Sequence, residues 1–329
     1  MFGLNSYGAR GIVGALAVAV SFAPVMAQAQ TYPDRTVRII VPFAAGGGSD
    51  IVGRAIAQKL QEKLGQRFIV ENRTGAGGSI GANQVAKAAP DGYTLLFGSS
   101  SEIAQYPAVK TDVPYDSIKD FTPIAAVATV PLALTVKQSL PVTSVLELID
   151  YAKQNPGKLN YGSAGPGSST HLAVALLTSM TGTDMTHVPY KGSAPVITDL
   201  LAGTLDLSIS TMPAVLPHIS GGKIKVLAVS TGQRAKAMPD VVTIAEGGVN
   251  GYATGLWTGL LAPAGTPPQI ITRLNAAVNE ALATEDLKAL LAKQGAEPTG
   301  GTPEQFAGEI KGELTLWTDV VKKTGIKVE

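Results

Sequence analysis

The sequence is organised around one recurring unit, in which an apolar strand segment, a glycine- and serine-rich loop and an amphipathic helix follow one another. The first unit has the apolar segment Val37–Val41, a loop over residues 42–49, and a helix whose apolar side chains recur three or four residues apart. A second unit begins at residues 68–70, and a third strand segment covers residues 94–97. Strands that alternate with helices at this spacing predict right-handed βαβ units and a mostly parallel sheet.

The second half of the chain repeats this order. A strand segment at residues 160–163 leads into a loop over residues 164–169 and then into a helix that ends near Met180. Between the two halves, the apolar stretches 124–130 and 132–136 predict strands that cross into a second lobe. We therefore expect a first lobe made of residues 30–132 and 255–329, and a second lobe made of residues 133–254.

The first 29 residues have the pattern of a signal peptide. Arg10 is followed by an almost wholly apolar run over residues 11–23, and Ala27-Gln28-Ala29 gives the small residues of a cleavage site. The run is shorter than the roughly 20 residues that span a bilayer, which disfavours the alternative of an uncleaved anchor. We expect cleavage after Ala29 and a periplasmic mature protein.

Composition excludes several classes of function. The chain has no cysteine, which excludes thiol catalysis, disulfides and cysteine-ligated metal. The net charge is +1, and cleavage of the signal peptide would remove only Arg10 among the charged residues. A neutral mature protein has no overall attraction to nucleic acid or to anionic membranes. Metal-ligand and nucleotide-binding motifs are also absent from the sequence, so we predict neither a metal site nor a cofactor.

The glycine- and serine-rich loops are the best candidates for a binding site. In an open parallel sheet, ligands bind beyond the C-terminal ends of the strands, where these loops lie. A helix N-terminus offers unpaired N–H groups and a partial positive charge of about half a unit. The loops around residues 43–49 and 163–170 each precede a helix, so together they can hold a carboxylate without arginine or lysine. The alternative is that the glycines only form tight turns and that the hydroxyl groups of residues 168–170 only cap a helix.

An enzyme is the competing interpretation. Residues 77–81, Gly-Gly-Ser-Ile-Gly, match the pattern of a hydrolase nucleophile elbow at Ser79. However, several loop residues separate Ser79 from the preceding strand, and an elbow serine sits at the strand-to-helix turn itself. The histidines, His171, His187 and His218, carry no motif that pairs them with Ser79. We predict no catalytic residue and keep a secreted serine hydrolase as the alternative.

Longer motifs extend along the whole mature chain. They are VPFAAGGGSD at 41–50, VENRTGAGGSIG at 70–81, APDGYTLL at 89–96, YDSIKDF at 115–121, GSAGPGS at 162–168 with His171 and Leu172, HVPYKG at 187–192 and LAPAGTP at 261–267. In this order they resemble the Bug family of substrate-binding receptors of tripartite tricarboxylate transporters.

This resemblance implies an α/β, type II periplasmic-binding-protein fold, with two doubly wound lobes joined by crossing strands. It implies a receptor that captures a small carboxylate between the lobes and delivers it to membrane permease subunits, although a receptor that serves a sensor is an alternative. We expect a monomer. The candidate ligand-binding residues are Phe43, Ala45, Gly46, Gly47, Gly48, Ser49, Asp50, Ser99, Ser100, Tyr106, Ser163, Gly165, Gly167, Ser168, Ser169, Thr170, His171, Tyr190, Asp206 and Trp257.

Three departures from the family pattern bear on the ligand. Tyr106 stands where an amide is common, Ala175 where a glutamate is frequent, and Ser210 where acidic or amide residues are common. The first change adds an aromatic face, and the other two remove groups that could bind a second or third acid group. Phe43, Tyr190 and Trp257 are further candidates for an apolar wall. We therefore expect a larger or aromatic carboxylate instead of citrate.

Overall fold

Two β-sheets organise the chain in a computed structural model that describes residues 1–3 and 32–326. The predicted signal peptide and its cleavage site lie largely outside the described residues. The strands are β1 Val37–Val41, β2 Phe68–Asn72, β3 Thr94–Ser99, β4 Phe121–Val130, β5 Leu132–Lys137, β6 Asn160–Ser163, β7 Thr186–Pro189, β8 Leu207–Thr211, β9 Ile224–Val229, β10 Leu256–Pro263 and β11 Glu297–Pro298. The helices are α1 Gly48–Leu64, α2 Ser79–Ala86, α3 Tyr106–Val109, α4 Val145–Gln154, α5 Ser169–Thr181, α6 Ser193–Ala202, α7 Met212–Ile219, α8 Pro268–Ala283, α9 Glu285–Lys293 and α10 Pro303–Thr324.

The first sheet has the strand order β11-β4-β10-β3-β1-β2. β1 pairs in parallel with both β2 and β3, whereas β10 runs antiparallel between β3 and β4. Ile39, Ile40 and Val41 of β1 are all buried, as expected for a central strand that is covered by helices on both faces. The glycine-rich loops therefore leave the sheet at the same edge, beyond the C-terminal ends of β1, β2 and β3.

The second sheet has the order β7-β6-β8-β5-β9 and repeats this plan. β6 is parallel to β7 and β8, and β5 is antiparallel to β8 and β9. We call the elements around the first sheet the first lobe and those around the second sheet the second lobe. The chain crosses from β4 through Pro131 into β5, and it returns between β9 and β10. This arrangement confirms the predicted α/β fold of two lobes joined by crossing strands, while the boundaries given above stay a prediction.

The C-terminal segment packs against the first lobe. Asn275 of α8 donates to the carbonyl oxygen of Ile124 at 2.7 Å, and it also donates to Gly301 ahead of α10 at 2.8 Å. α10 begins with a capping box, in which Thr302 accepts from the backbone of Gln305 and the Gln305 side chain accepts from Thr302. Of the helices in the described residues, none is long and apolar enough to cross a membrane.

Two segments differ from the sequence-based expectation. Residues 101–109, which follow the Ser-rich end of β3, form a π-helical turn over Ser101–Gln105 and then α3, where we predicted no helix. The described C-terminal part contains three helices and the short strand β11, whereas the apolar pattern of the sequence predicts two helices, over about 267–283 and 303–323. Local sequence is a weak guide at both places because tertiary contacts stabilise them, including the hydrogen bond from Gln105 to Glu313 of α10.

Candidate functional site

Three helix N-termini meet at a cavity between the two lobes. α1 starts after Gly47 in the first lobe, and α5 and α6 start after Ser168 and Gly192 in the second lobe. The cavity is partly open to solvent. It is lined by Phe43, Gly47, Gly48, Ser49, Ser101, Ala164, Ser168, Ser169, Thr170, Ser193, Thr211 and Leu256. Since all of these side chains are small, hydroxyl-bearing or apolar, the positive potential in the cavity comes from the helix ends.

The first-lobe loop is braced from behind by Asp50. Its carboxylate accepts hydrogen bonds from the Gly46 N–H at 2.9 Å, from the Asn72 amide at 2.9 Å and from Arg54 at 3.0 Å. Burial works to raise the pKa of Asp50, but the hydrogen bonds from Arg54, Gly46 and Asn72 outweigh it and hold the pKa below its usual value. Asp50 is therefore ionised and satisfied within the loop. This arrangement leaves the backbone of Gly47, Gly48 and Ser49 facing the cavity.

Glycine is required where this loop approaches the second lobe. A Cβ atom on Gly48 would lie 2.8 Å from Thr211 Oγ1, which is closer than non-bonded atoms approach. Nearby, the Ala44 N–H donates to the carbonyl oxygen of Lys191 at 2.9 Å. The two lobes are thus in direct backbone contact beside the cavity, and the structure is a closed form.

The second-lobe loop is held by its own hydroxyl groups. Ser168 Oγ caps α5 by accepting from the His171 N–H at 3.3 Å, and it donates to the Gly165 carbonyl oxygen at 2.7 Å. Thr170 Oγ1 accepts from the Ala164 N–H at 2.8 Å. The Gly167 N–H donates to His171 Nδ1 at 3.1 Å. These bonds fix the N-terminus of α5 in place without a ligand.

Two hydroxyl groups in the cavity lining lack a hydrogen-bond partner among the described residues. Ser169 Oγ and Thr211 Oγ1 are buried and have no hydrogen-bond partner within the part of the chain that the structure describes. An unpaired buried polar group costs about 1–3 kcal/mol, so such groups point to a missing partner. Ser169 belongs to α5 and Thr211 to the end of β8, and both residues line the same cavity. Each hydroxyl therefore lacks a partner that a ligand oxygen in the cavity would supply.

Of the predicted site residues, Phe43, Gly47, Gly48, Ser49, Ser168, Ser169 and Thr170 line the cavity. The others lie outside the lining. Ala45, Gly46, Asp50, Ser163, Gly165, Gly167 and His171 support the loops, while Ser99, Ser100, Tyr106, Tyr190, Asp206 and Trp257 lie elsewhere. Their assignment to the ligand stays a prediction.

Three of these outlying side chains have other partners. The Tyr190 hydroxyl donates to Asp199 at 2.5 Å. Asp206 forms an ion pair with Lys137 at 2.6 Å. Trp257 packs edge-on against Phe306 with ring centroids 5.1 Å apart. The apolar wall that we expected from Tyr190 and Trp257 is thus absent from the described cavity lining, where Phe43 is the aromatic residue.

Five lining residues were missed: Ser101, Ala164, Ser193, Thr211 and Leu256. The sequence around Ser193 could have identified it, because it follows Gly192 and opens α6 after β7, which is another copy of the strand, glycine loop and helix unit. The indication for Ser101 was weaker, since it is only one member of the serine run after β3. Thr211 and Leu256 lie at strand ends that no motif marks.

The hydrolase motif occupies a different place from the histidines. Ser79 opens α2 in the first lobe after a 3₁₀ turn over Ala76–Gly78. His171 and His187 belong to the second lobe, where they stack with ring centroids 4.1 Å apart. His187 Nε2 is hydrogen-bonded to Ser163 Oγ at 2.6 Å, and Ser163 is fully buried. Burial lowers the pKa of each imidazole to about 4, so both are neutral and brace the α5 loop.

Comparison with known proteins assigns the chain to a family. The model of the family described as tripartite tricarboxylate transporter family receptor matches residues 52–326. The chain belongs to this family. Its members are periplasmic solute-binding receptors, and the resemblance found in the sequence motifs is confirmed.

Individual relatives agree along nearly the full length. The chain is 41% identical to protein BugT of Bordetella pertussis over 315 residues, which cover 95% of this chain and 96% of that protein. A structure of Rpa4515 of R. palustris with adipate is 43% identical, with a TM-score of 0.87 over 90% of this chain and 99% of that chain. A structure of MatC from Rhodopseudomonas palustris with bound malate is 36% identical, with a TM-score of 0.85 over 88% of this chain and 100% of that chain.

Proposed function

We propose that this receptor captures a small carboxylate in the cavity between its lobes and delivers it to the permease subunits of a tripartite transporter. The observation that carries the proposal is the pair of buried, unpartnered hydroxyl groups, Ser169 Oγ and Thr211 Oγ1, beside the N-termini of α1, α5 and α6. This environment supplies hydrogen-bond donors and partial positive charge, which a carboxylate requires. The adipate and malate in the two related structures support the same class of ligand.

The ligand that fits best has one or two carboxylates, held at the helix ends, and an apolar remainder. Phe43 and Leu256 form the apolar part of the lining. A third acid group, as in citrate, would be buried among residues that carry no compensating cation, and a buried unpaired carboxylate costs several kcal/mol. Aliphatic diacids of the adipate type and simple aromatic acids of the benzoate type are both retained as candidates, with Phe43 as the wall for either.

Substitution of Ser169 tests the site. In Ser169→Ala the carboxylate would lose one hydroxyl donor, a charge-assisted hydrogen bond of about 1.5–3 kcal/mol, so binding should weaken by roughly 10- to 100-fold. The melting temperature of the free protein should hold or rise, because the variant removes an unpaired buried group. Ser179→Ala, an exposed serine of the same helix, is the matched control.

The measurement is calorimetric titration with adipate, malate, benzoate and citrate, after native mass spectrometry of the purified protein to identify any retained acid. We expect at least one of the first three to bind more tightly than citrate. Wild-type affinity in Ser169→Ala for the acid that binds would contradict the placement, and binding of none of the four would contradict the ligand class.

Delivery, location and lack of catalysis complete the proposal. The family match supports a transporter over a sensor as the partner. The signal-peptide pattern in residues 1–29 supports a mature protein that works in the periplasm, and we propose that it does so as a monomer. A role as receptor instead of hydrolase is supported by the family match and by the position of Ser79, which opens α2 after a 3₁₀ turn instead of standing directly at the end of a strand.

A further inference from the structure

Tyr106 lies in the seam between the lobes instead of in the cavity. It opens α3 in the first lobe, and its ring lies against Gly167 of the second-lobe loop. A Cβ atom on Gly167 would overlap Tyr106 Cδ2. On the first-lobe side, a Cβ on Gly77 would lie 2.9 Å from the same ring and 2.6 Å from the carbonyl oxygen of Pro166. The ring therefore fills a notch that only glycine at 77 and 167 leaves open.

The same seam connects the ring to the cavity. Ser101, five residues before Tyr106, accepts a hydrogen bond through Oγ from the Ser169 N–H at 3.1 Å. Gly167 immediately precedes Ser168, Ser169 and Thr170, which line the cavity. The segment that carries Tyr106 thus contacts the α5 loop at two points, directly behind the residues that face the cavity.

We propose that Tyr106 is a positioning residue, which seats its ring against Gly167 when the lobes close and so places the N-terminus of α5 over the ligand. It contacts the opposite lobe and not the cavity, so it sets the stability of the closed form. The proposal deepens the function proposed above and rests on it for the link to ligand affinity. The seating itself is a property of the protein alone and is testable without a ligand.

A cross-link reports closure in the absence of ligand. The chain has no cysteine, so two introduced thiols are unambiguous. Gly46 in the first lobe and Ala194 in the second are close enough, because a Cβ on Gly46 would lie 3.7 Å from the Ala194 Cβ, near the mean separation of about 3.8 Å in disulfides. Gly46 has a φ of +78°, so its replacement is strained, but this strain is common to all variants of the double-cysteine protein and cancels in their comparison. The disulfide of Gly46→Cys/Ala194→Cys should form only when the lobes are closed, and its rate of formation measures the closed fraction.

Four variants of this double-cysteine protein test the packing of the ring. Tyr106→Ala should slow cross-linking by roughly 5- to 30-fold, the effect expected from losing part of the apolar contact area of a half-buried ring. Tyr106→Phe keeps the ring and should cross-link at the parent rate. Gly167→Ala should be slow because its methyl group meets the ring. Tyr106→Ala/Gly167→Ala should be no slower than Tyr106→Ala alone, since the ring that the methyl would meet is gone.

Gly182→Ala is the control for backbone strain. Gly182 lies directly after α5, whereas Gly167 lies just before it. The φ of Gly182 is +64°, close to the +73° of Gly167, but no described atom lies within 4 Å of the position that its Cβ would take. It should lose stability to a similar degree and cross-link at the parent rate. An unchanged rate in Tyr106→Ala, or additive losses in the double variant, would overturn the proposal.

Ligand titration of the same variants without the cysteines separates the two proposals. Slower cross-linking with a matching loss of acid affinity supports both. If cross-linking responds as expected and no acid binds the parent protein, the seating role stands and the carboxylate proposal fails. If Tyr106→Ala retains both the parent cross-linking rate and the acid affinity while Ser169→Ala loses affinity, the carboxylate proposal stands and the seating role is refuted.

Discussion

Glu102 lies behind the cavity and shows how single buried groups shape this site. Its side chain is completely buried. The carboxyl group accepts a hydrogen bond from the Ser99 N–H at 2.6 Å and shares a second one with the Ser99 hydroxyl, also at 2.6 Å. Burial raises its pKa to about 8, and the bonds to Ser99 only partly offset this effect. Glu102 is therefore protonated at neutral pH, so it adds no negative charge behind Ser101 in the cavity lining. That neutrality favours an anionic ligand next to it.

Glu102 should make stability depend on pH. Its folded-state pKa of about 8 is above the ordinary value of 4.5, so the unfolded chain releases the proton first as pH rises. The contribution of Glu102 to the free energy of unfolding is fully present below about pH 4.5 and is lost progressively as the pH rises towards 8. Glu102→Gln keeps a neutral donor and acceptor without titrating. We expect it to unfold at a higher denaturant concentration than the wild type at pH 9 and at a similar one at pH 5.

Urea unfolding at the two pH values measures this difference. Glu285→Gln, at a side chain that is 88% exposed, is the control and should show no such pH-dependent gain. A Glu102→Gln variant that is equally destabilised at both pH values would show that the carboxyl is ionised in the folded protein.

At the scale of elements, α10 supports the segment that bears Ser101 and Tyr106. Glu313 of α10 accepts from the Gln105 side chain at 2.9 Å, and Gln105 ends the π-helical turn that begins at Ser101. The local sequence does not by itself favour this turn, so we infer that the contact with α10 stabilises it. The site therefore relies on a helix that lies far along the chain from it, and damage to α10 should reach the cavity.

Thr302→Ala tests how much the N-cap of α10 contributes to the free energy of unfolding. The substitution removes the hydroxyl that accepts from the Gln305 N–H at 3.2 Å. Loss of such an N-cap costs about 0.5–2 kcal/mol, so the free energy of unfolding should fall by about 1 kcal/mol. Thr315→Ala, in the exposed middle of the same helix, should change it by less than about 0.5 kcal/mol. Equal unfolding curves for Thr302→Ala and the wild type would show that the cap carries no stability.

At the scale of the whole molecule, the two lobes are held by few direct contacts beside the cavity. The Ala44 N–H donates to the Lys191 carbonyl oxygen, the Ser169 N–H donates to the Ser101 hydroxyl, and the Tyr106 ring packs against Gly167. A receptor that must both bind and release its ligand requires such a closed form, stabilised mainly when the ligand adds its own bonds.

Export gives a prediction for the whole chain. If Ala27-Gln28-Ala29 is the cleavage site, the intact mass of protein from the periplasm corresponds to a chain that begins at Gln30. Ala29→Leu, which places a large residue next to the cleaved bond, should accumulate the uncleaved form. A dominant wild-type species that retains residues 1–29 would disprove the assignment.

Much of the architecture follows from local sequence. The apolar run of β1, the glycine-rich loop and the apolar spacing of α1 predict a strand, a loop and a helix in order, because each has its own periodicity. Repetition of the unit predicts parallel strands, and parallel strands bring their following loops to one edge. Hence the sequence alone predicts Gly47, Ser49 and Ser168 as site residues, and all three line the cavity.

Only the tertiary structure decided which side chains share the cavity. Thr211 and Leu256 reach it because the chain crosses between lobes and returns, and no local pattern encodes that meeting. Tyr106 shows the same limit: its position after the third strand indicated the site, but packing against Gly167 turned its ring into the seam between the lobes. Hydrophobic periodicity reflects residues that are near one another in the sequence. Lobe closure, in contrast, brings together residues that are far apart in the sequence.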